Sequence, residues 1–516
     1  MRTMLLSALR RAFLLAQQTH QNPAKSVDDV LSEWQLQANS RRQFLKTSAQ
    51  AGAFLGLGGA AAVGQLLEAP LRPNYKVAIV GAGMAGLSAA WYLRKKGIRA
   101  VVYEGDKRPA GRMKSARIFD GGRLNTEIGA EFIDSNHKDM FRLIRDFGLK
   151  RQIMDVEDDR FGTKEAFYIE NQSRSIRDIV EELNRVYPVM VKDQRKLGTP
   201  RAPEFDRMSI EQYLDSLPIS TWVKKLLNAA FLGENGRETG EQSAWNFLDF
   251  IEPLHNEFKP YGASDERYKI IGGNDQLPKR MAEKMQDQLR YEHHLMALKE
   301  LNNGSIQLTF SQNGTPVDAT FDVVILAIPF SVLRSIDLQM TLPPIKKQMI
   351  QELGYGTNSK FIVETRERSW RKAGYQGYLF NEQVSNGWDS SQMQQNNEGV
   401  GAYTCYFGGK RGLEAKKGTE KEQLSYVMPA LESIFPGIKA SLTGKVELAN
   451  WPSNPLTACS YSSFGVGQHT LFDGVGIQPV RHLFFAGEHC SDDFWGFMNG
   501  AAETGRKAAE LVLSTT

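Results

Sequence analysis

The stretch KVAIVGAGMAGLSAAWYL, from Lys76 to Leu93, decides the fold of this chain. An apolar run, a G-x-G-x-x-G turn and apolar residues at helical spacing follow one another, which predicts a strand, a tight turn and a helix. Gly81 permits the turn, Gly83 lets a pyrophosphate approach the helix N-terminus, and Gly86 lets the helix pack closely on the strand. The stretch therefore predicts a Rossmann-type dinucleotide-binding domain.

The segments that follow favour FAD over NAD(P) as the dinucleotide. A second predicted strand, Arg99 to Tyr103, ends at Glu104, an acid at the offset where the adenosine ribose hydroxyls need an acceptor. The run PAGRM, Pro109 to Met113, places Arg112 where a guanidinium can bind the pyrophosphate in bidentate fashion. The chain has one such glycine fingerprint, whereas a flavin enzyme reduced by NAD(P)H normally carries a second nucleotide unit.

Four further blocks carry a resemblance to a known family. They are TEIGAEFI (Thr126 to Ile133), IIGGNDQLP (Ile270 to Pro278), DVVILAIP (Asp322 to Pro329) and HLFFAGEH (His482 to His489), the last followed by GFMNGAAETGRKAA. Together with the glycine fingerprint they resemble the flavin amine oxidase family, which includes monoamine oxidases, polyamine oxidases and L-amino-acid oxidases. The similarity spans most of the chain from Lys76 to Val512.

The resemblance implies an α/β architecture in which a discontinuous Rossmann-type FAD-binding domain is interrupted by an α+β substrate-binding domain. The FAD-binding domain is predicted at residues 73–134, 266–340 and 445–516, and the substrate-binding domain at residues 135–265 and 341–444. The first block, from Lys76, and the last block, from His482, would then belong to one cofactor domain. The polar run from Ser390 to Glu398 is interpreted as a solvated loop.

The resemblance also implies the residues of the site. The predicted FAD-binding residues are Gly81, Gly83, Gly86, Glu104, Arg112, Gly129, Ala130, Glu131, Gly487, Glu488 and Met498. Lys360, in YGTNSKFIV, matches the family lysine that contacts the flavin N5 through a water. Tyr461 and Phe497 match the two aromatic walls of the substrate cage, and Trp495 is expected in the same pocket.

The flavin is expected to be dissociable. Monoamine oxidases tether FAD through a cysteine directly before the cage tyrosine, and Ser460 occupies that place here. Cys459 lies one residue too early, so the resemblance does not carry the covalent bond over.

The substrate class stays open between a primary amine and an L-amino acid. Many L-amino-acid oxidases hold the substrate carboxylate with an arginine in a GAMR block, whereas this chain has GAEF at Gly129 to Phe132. The predicted reaction is hydride transfer from an amine-bearing carbon to FAD, with oxygen as the acceptor and hydrogen peroxide as a product. The alternatives are a desaturase-like or protoporphyrinogen-oxidase-like flavoprotein, which acts on carbon–carbon or ring bonds, and a flavin-bearing interaction module.

Composition and the N-terminus limit partners and location. A formal net charge of +4 and no basic stripe argue against a nucleic-acid partner, and the three separated cysteines lack metal-site spacing. The run SRRQFLK, Ser40 to Lys46, with a short Gly/Ala-rich stretch after it, resembles a twin-arginine export signal. It predicts export to the periplasm or the outside of the cell without a stable membrane span, and a homodimer remains open.

Overall fold

The computed structural model describes residues 4–22, 25–32, 75–155, 164–251 and 266–515. The strands are β1 (Val77–Val80), β2 (Val101–Tyr103), β3 (Ser115–Ala116), β4 (Thr126–Glu127), β5 (Ile153–Asp155), β6 (Lys164–Ile169), β7 (Gln172–Arg174), β8 (Tyr268–Ile270), β9 (Leu289–Arg290), β10 (His294–Glu300), β11 (Ile306–Gln312), β12 (Thr315–Phe321), β13 (Val323–Leu326), β14 (Asp337–Gln339), β15 (Ser359–Thr365), β16 (Tyr375–Asn381), β17 (Ser385–Asp389), β18 (Gly401–Phe407), β19 (Leu442–Asn450) and β20 (Leu483–Phe485). The α-helices are α1 (Met4–Gln21), α2 (Met84–Lys95), α3 (Lys138–Asp146), α4 (Ile176–Gln194), α5 (Ala202–Asp206), α6 (Ile210–Asp215), α7 (Thr221–Asn235), α8 (Ala244–Leu248), α9 (Gln276–Lys284), α10 (Phe330–Leu333), α11 (Pro344–Glu352), α12 (Ser369–Lys372), α13 (Gly409–Glu414), α14 (Glu420–Ile434), α15 (Ile438–Ser441), α16 (Gln468–Phe472) and α17 (Met498–Thr515).

A parallel five-stranded sheet carries the dinucleotide fold. Its order is β20-β13-β1-β2-β9, so strands from both ends of the chain meet in one sheet. Every residue of β1 and of β13 is buried, as expected for a parallel sheet that is covered on both faces. The predicted discontinuous Rossmann-type domain is therefore confirmed.

The C-terminal helix α17 packs closely on α2, the helix of the glycine fingerprint. Ser88 in α2 donates a hydrogen bond to the Ala502 carbonyl oxygen of α17 at 2.7 Å. A Cβ at Gly505 would lie 2.2 Å from the Ala85 carbonyl oxygen, so only glycine allows this approach. The family block at the end of the chain is thus fixed against the block at its start.

A second, seven-stranded sheet has the strand order β19-β15-β18-β17-β16-β6-β7. Strand β15 lies between β18 and β19 and is buried along its whole length. Helix α4 is started by a capping box in which Ser175 and Asp178 bond each other's backbone N–H groups. Strand β19 runs across the predicted domain boundary at residue 445.

The N-terminal helix α1 is built into the core of the substrate-binding part. Phe13 contacts Phe247 and Phe250 edge-on, with ring centroids 6.2 and 6.0 Å apart. The twin-arginine motif at Ser40 to Lys46 and the Gly/Ala-rich stretch after it lie outside the described residues.

The interpretation of Ser390 to Glu398 as a solvated loop is wrong for much of this run, although Gln395 and Glu398 are exposed. Ser391 and Gln392 are buried, and Asn397 is 6% exposed. Arg368 donates hydrogen bonds to Asn397 Oδ1 and to the Gln394 carbonyl oxygen, at 3.1 and 3.0 Å. A buried arginine thus satisfies this polar run, and a polar composition alone does not distinguish that from exposure to solvent.

Candidate active site

The turn between β1 and α2 leaves open space in front of the helix. At Gly81, which has φ +103°, a Cβ would lie 2.7 Å from the Ala327 carbonyl oxygen, and at Gly86 it would lie 1.9 Å from the Gly81 carbonyl oxygen. At Gly83 a Cβ would meet no protein atom within 4 Å, and no side chain caps the helix there. Because a helix N-terminus offers unbonded N–H groups to phosphate, this space fits the pyrophosphate of FAD.

Glu104 follows β2 and lies beside this turn. Its carboxylate accepts hydrogen bonds from the Ala82 N–H at 2.7 Å and from the Asp106 N–H at 2.8 Å. Burial raises the pKa of Glu104, whereas both N–H groups favour the anion. Each carboxylate oxygen has a second lone pair, so the side chain can still accept a ribose hydroxyl as predicted.

Arg112 joins the two ends of the cofactor domain. Its Nη1 lies 2.9 Å from Glu488 Oε1 and donates to the Ser460 carbonyl oxygen at 2.8 Å. Glu488 also accepts from the Ser462 hydroxyl at 2.7 Å and from the Gly496 N–H at 2.8 Å. Burial opposes the anion, but Arg112 and these donors outweigh it and lower the pKa of Glu488 to about 2. The predicted residues Arg112 and Glu488 therefore form one ion pair.

Three further predicted cofactor residues, Gly129, Ala130 and Gly487, lie next to this pair. The Ala130 N–H donates to the Arg112 carbonyl oxygen at 3.0 Å, and a Cβ at Gly129 would lie 1.9 Å from that same oxygen. Gly487 has φ +150°, a conformation that favours glycine. Met498 begins α17 and is buried in the core of the dinucleotide fold.

His489 follows Glu488 and is a polar group that the sequence did not single out. Its ring is 2% exposed and lies 4.4 Å from the Phe330 ring, edge-on. Burial lowers the pKa of His489 to about 4, so the imidazole is neutral. Neither ring nitrogen has a hydrogen-bond partner among the described residues. Buried polar atoms of this kind normally have a partner, which fits a site that is completed by a polar cofactor.

Lys360 lies at the centre of a buried charged cluster. Its ammonium donates to Glu131 Oε2 at 2.6 Å, to the Glu127 carbonyl oxygen at 2.8 Å and to the Gly129 carbonyl oxygen at 2.9 Å. Lys269 donates to the other oxygen of Glu131 at 2.5 Å. All three hydrogens of Lys360 have acceptors in the protein, so a contact to a flavin through water requires one of these bonds to be shared.

Three groups of this cluster have pKa values that differ from those of the same groups in water. Burial raises the pKa of Glu131, but Lys269 and Lys360 outweigh it and hold that pKa below its ordinary value. Burial lowers the pKa of Lys360, and Glu131 opposes this shift. Glu127 is different, because burial and the nearby Glu131 raise its pKa to about 7. Glu131 is therefore an anion, and Glu127 changes its protonation near neutral pH.

Tyr461 is buried and its phenol is held by polar partners. Its hydroxyl donates to the Glu234 carbonyl oxygen and lies 3.2 Å from the Tyr406 hydroxyl. Burial raises the pKa of Tyr461 far above its ordinary value, so the phenol is neutral. Tyr406 stacks edge-on with Trp388, and the Trp388 ring lies 5.2 Å from the Lys360 ammonium. Tyr461 and Lys360 are thus linked through two aromatic side chains.

Phe497 and Trp495 lie on the loop before α17. The Phe497 ring packs against His137 at 5.0 Å, and the Trp495 ring packs against Phe464 at 5.7 Å. Both aromatic residues are 7% exposed. Their roles in a substrate cage stay a prediction.

Ser460 and Cys459 differ in their surroundings. The Ser460 hydroxyl donates to Asn358 Oδ1 at 2.6 Å. Cys459 is buried, and its sulfur accepts a hydrogen bond from the Ser331 hydroxyl at 3.3 Å. Burial raises the pKa of Cys459 to about 11, which disfavours the thiolate that attacks a flavin. Both observations agree with the expectation of a dissociable cofactor.

Sequence reasoning missed His489 and four members of the cluster around Lys360, namely Glu127, Lys269, Trp388 and Tyr406. Glu127 and Lys269 stand inside or beside family blocks, so their position was a usable signal. Trp388 and Tyr406 lie on neighbouring strands, β17 and β18, where Asn386 pairs with Tyr406. That register is set by the pairing of the two strands, which cannot be predicted from the local sequence.

The described residues were searched for metal-ligand sets and for membrane-spanning helices. Within them, no three His, Cys, Asp or Glu side chains converge as a metal-ligand set. The helices of the described segments are all too short or too polar to cross a membrane.

Comparison with known proteins identifies the family. Residues 84–513 match the family of flavin-containing amine oxidoreductases. Similar proteins include amine oxidase [flavin-containing] B of Homo sapiens, 24% identical over 466 residues that cover 85% of this chain and 86% of the relative. The amine oxidase [flavin-containing] of Danio rerio is 23% identical and covers the same shares of the two chains.

Solved structures show the same fold. Wild-type putrescine oxidase bound to putrescine has a TM-score of 0.73 at 19% identity, covering 85% of this chain and 99% of the other. Cyclohexylamine oxidase from Brevibacterium oxydans IH-35A has a TM-score of 0.74 at 18% identity, covering 86% and 99%. The family match spans most of the chain and includes Arg112, Glu488 and Lys360. The chain belongs to the flavin-containing amine oxidoreductase family and is an FAD-dependent enzyme of amine oxidation.

Proposed function

We propose that the protein is an oxidase of primary amines that passes the electrons to oxygen and releases hydrogen peroxide. The observation that carries the choice of substrate is the GAEF block, Gly129 to Phe132, which has no arginine where many L-amino-acid oxidases hold the substrate carboxylate. Glu131 in this block is enclosed, and its charge is neutralised by Lys269 and Lys360. The carboxylates of Glu234 and Glu266 act on the phenol of Tyr406, whose hydroxyl lies 3.2 Å from that of Tyr461. A substrate carboxylate bound beside these two acids would be repelled.

The bound FAD would accept the hydride and reduce oxygen. The chain's own residues have separate tasks. The glycine turn and the Arg112–Glu488 pair bind and orient the cofactor, and the buried rings of Tyr461, Tyr406 and Trp388 exclude water. Lys360 would hold a proton beside the reacting centre, because its ammonium is fixed by three acceptors. The imine that leaves is hydrolysed to an aldehyde and ammonia.

A matched substrate pair tests the proposed substrate class. 2-Phenylethylamine and L-phenylalanine differ only in the carboxylate, and peroxide release gives kcat/KM for each. The amine should be preferred by about 100-fold, because burying an unpaired carboxylate costs several kcal/mol. An equal or higher kcat/KM for the amino acid would assign the second candidate, an L-amino-acid oxidase.

Export through the twin-arginine route is part of the proposal. The motif SRRQFLK at Ser40 to Lys46 supports it, and this route carries folded proteins with their cofactors. The double variant Arg41→Lys, Arg42→Lys should remain in the cytoplasm with its flavin when cells are fractionated. Equal export of this variant and the unmodified protein would remove the localisation from the proposal.

The flavin is expected to leave the protein on denaturation. Ser460 cannot form the thioether, and Cys459 is protonated and buried. Acid precipitation should therefore leave yellow FAD in the supernatant, measured by its absorbance and mass. Colour that stays with the fully denatured pellet would show a covalent bond and point to Cys459.

The rate of substrate oxidation should rise with pH. An aliphatic amine has a pKa of about 10.4 and is mostly protonated at neutral pH, whereas hydride loss requires a free lone pair. A buried aromatic site disfavours the ammonium form. Hence kcat/KM for 2-phenylethylamine and for a benzylic amine should increase from mildly acidic to mildly alkaline buffer. A flat or falling profile, in protein that stays folded over this range, would contradict oxidation of the neutral amine.

A further inference from the structure

The carboxylate of Glu131 is fully enclosed and held from three directions. Lys360 donates to Oε2 at 2.6 Å and Lys269 donates to Oε1 at 2.5 Å. The Trp388 indole N–H also donates to Oε1, at 3.0 Å. The carboxylate cannot turn without losing one of these bonds, so its position is fixed.

Lys360 depends on this carboxylate for its counter-charge. Its two other acceptors, the carbonyl oxygens of Glu127 and Gly129, are neutral. The rings of Trp388 and Tyr406 face the ammonium at 5.2 and 6.0 Å. Truncating one partner of such a buried pair leaves an uncompensated charge, which is strongly destabilising.

We propose that Glu131 is a positioning residue for the amine oxidation: held by Lys269 and Trp388, it fixes the place and the charge of the Lys360 ammonium. This inference rests on the proposed function, because it needs Lys360 to serve the flavin reaction. Glu131 thus acts on the reaction through Lys360 and not through a contact of its own with the flavin. The cluster also contains Lys269 and Glu127. Because a cation and an acid shift the pKa of Lys360 in opposite directions, their effects can be distinguished by the direction of the shift.

The groups that face Lys360 change its protonation in opposite directions. Glu131 and Glu127 raise the pKa of Lys360, whereas burial and Lys269 lower it. Removing Glu131 should therefore move the ionisation of Lys360 to lower pH. Removing Lys269 should move it to higher pH. This holds whichever protonation state of Lys360 supports the reaction.

The variants are chosen to separate positioning from folding. Glu131→Gln leaves two buried ammonium groups next to each other and can prevent folding. The double variant Glu131→Gln, Lys269→Met removes one charge of each sign, so the net charge of the cluster is preserved. It is compared with Lys269→Met, which keeps the Glu131–Lys360 pair. Lys372→Met, on an exposed ion pair with Glu367, is the control outside the cluster.

Two measurements are made on purified, flavin-loaded protein. The first is the pH profile of anaerobic flavin reduction by 2-phenylethylamine, and the second is the free energy of unfolding in urea against pH. The inflection of Lys360, identified by its loss in Lys360→Met, should lie at higher pH in Lys269→Met than in the unmodified protein. In the double variant it should lie roughly one pH unit or more below its position in Lys269→Met. Glu131→Asp, which keeps the charge, should stay closer to the unmodified profile.

The free energy of unfolding tests the direction of the Lys360 pKa shift independently. A lysine whose folded pKa lies below its unfolded value makes the protein more stable as pH rises between the two. In the double variant this rise should begin at a lower pH than in Lys269→Met. The same inflection and the same stability curve in both variants would overturn the role of Glu131. No oxidation of any amine or amino acid by Lys269→Met and by the unmodified protein would instead overturn the proposed function.

Discussion

Replacing Gly83 with valine is expected to give a folded protein that does not retain FAD. A Cβ at this position meets no protein atom within 4 Å, and the backbone, at φ −75° and ψ −176°, is one that valine adopts readily. The space that the side chain would fill is the space in front of α2 that fits the pyrophosphate. We expect affinity for FAD to fall by at least about 1,000-fold, which corresponds to about 4 kcal/mol.

The measurement is the ratio of flavin to protein in the purified variant, with circular dichroism and the Tm as checks of the fold. Gly86→Ala is the contrasting variant, since its Cβ would lie 1.9 Å from the Gly81 carbonyl oxygen and should damage the fold itself. Gly198→Val is the matched control, because a Cβ there also meets no atom within 4 Å. Normal flavin content in Gly83→Val would refute the cofactor assignment of this turn.

Lys360→Met should keep its flavin and lose turnover. The lysine serves the reaction and does not anchor the cofactor, so kcat should fall by about 100-fold or more, the size of an acid–base contribution. The fold should survive, because Glu131 keeps its ion pair with Lys269 and its bond from the Trp388 indole. Methionine also fills most of the volume of the lysine side chain.

Stopped-flow spectroscopy separates the two halves of the reaction in this variant. Flavin reduction is followed with substrate under anaerobic conditions, and reoxidation is followed after mixing the reduced protein with oxygen. At least one of the two rates should fall with kcat. If both rates equal those of the unmodified protein, Lys360 has no role in the chemistry.

The dinucleotide fold could be predicted from the sequence because its signals are local. The predicted strand, turn and helix from Lys76 to Leu93 appear as β1 and α2, and the block at Asp322 to Pro329 contains β13. Glycines at Gly81 and Gly86 are required by contacts within a few residues or to the adjacent strand. Such requirements leave a pattern that can be read without the rest of the chain.

The charged cluster around Lys360 could be predicted only in part. Lys360 stands in a family block, but its hydrogen-bond acceptors, Glu127, Gly129 and Glu131, lie between 229 and 233 residues earlier in the chain. Glu131 was expected at the cofactor, whereas its carboxylate is bonded to two lysines. Long-range pairing of this kind has no fixed spacing, so it becomes visible only in the folded protein.

Anaerobic mixing of the flavin-loaded protein with 2-phenylethylamine tests the central claim most directly. The visible absorbance of the oxidised flavin should disappear at a rate that saturates with amine, and air should restore the colour with release of one hydrogen peroxide per amine oxidised. Flavin that stays oxidised with every amine and amino acid supplied, in folded and fully loaded protein, would contradict the assignment as an amine oxidase.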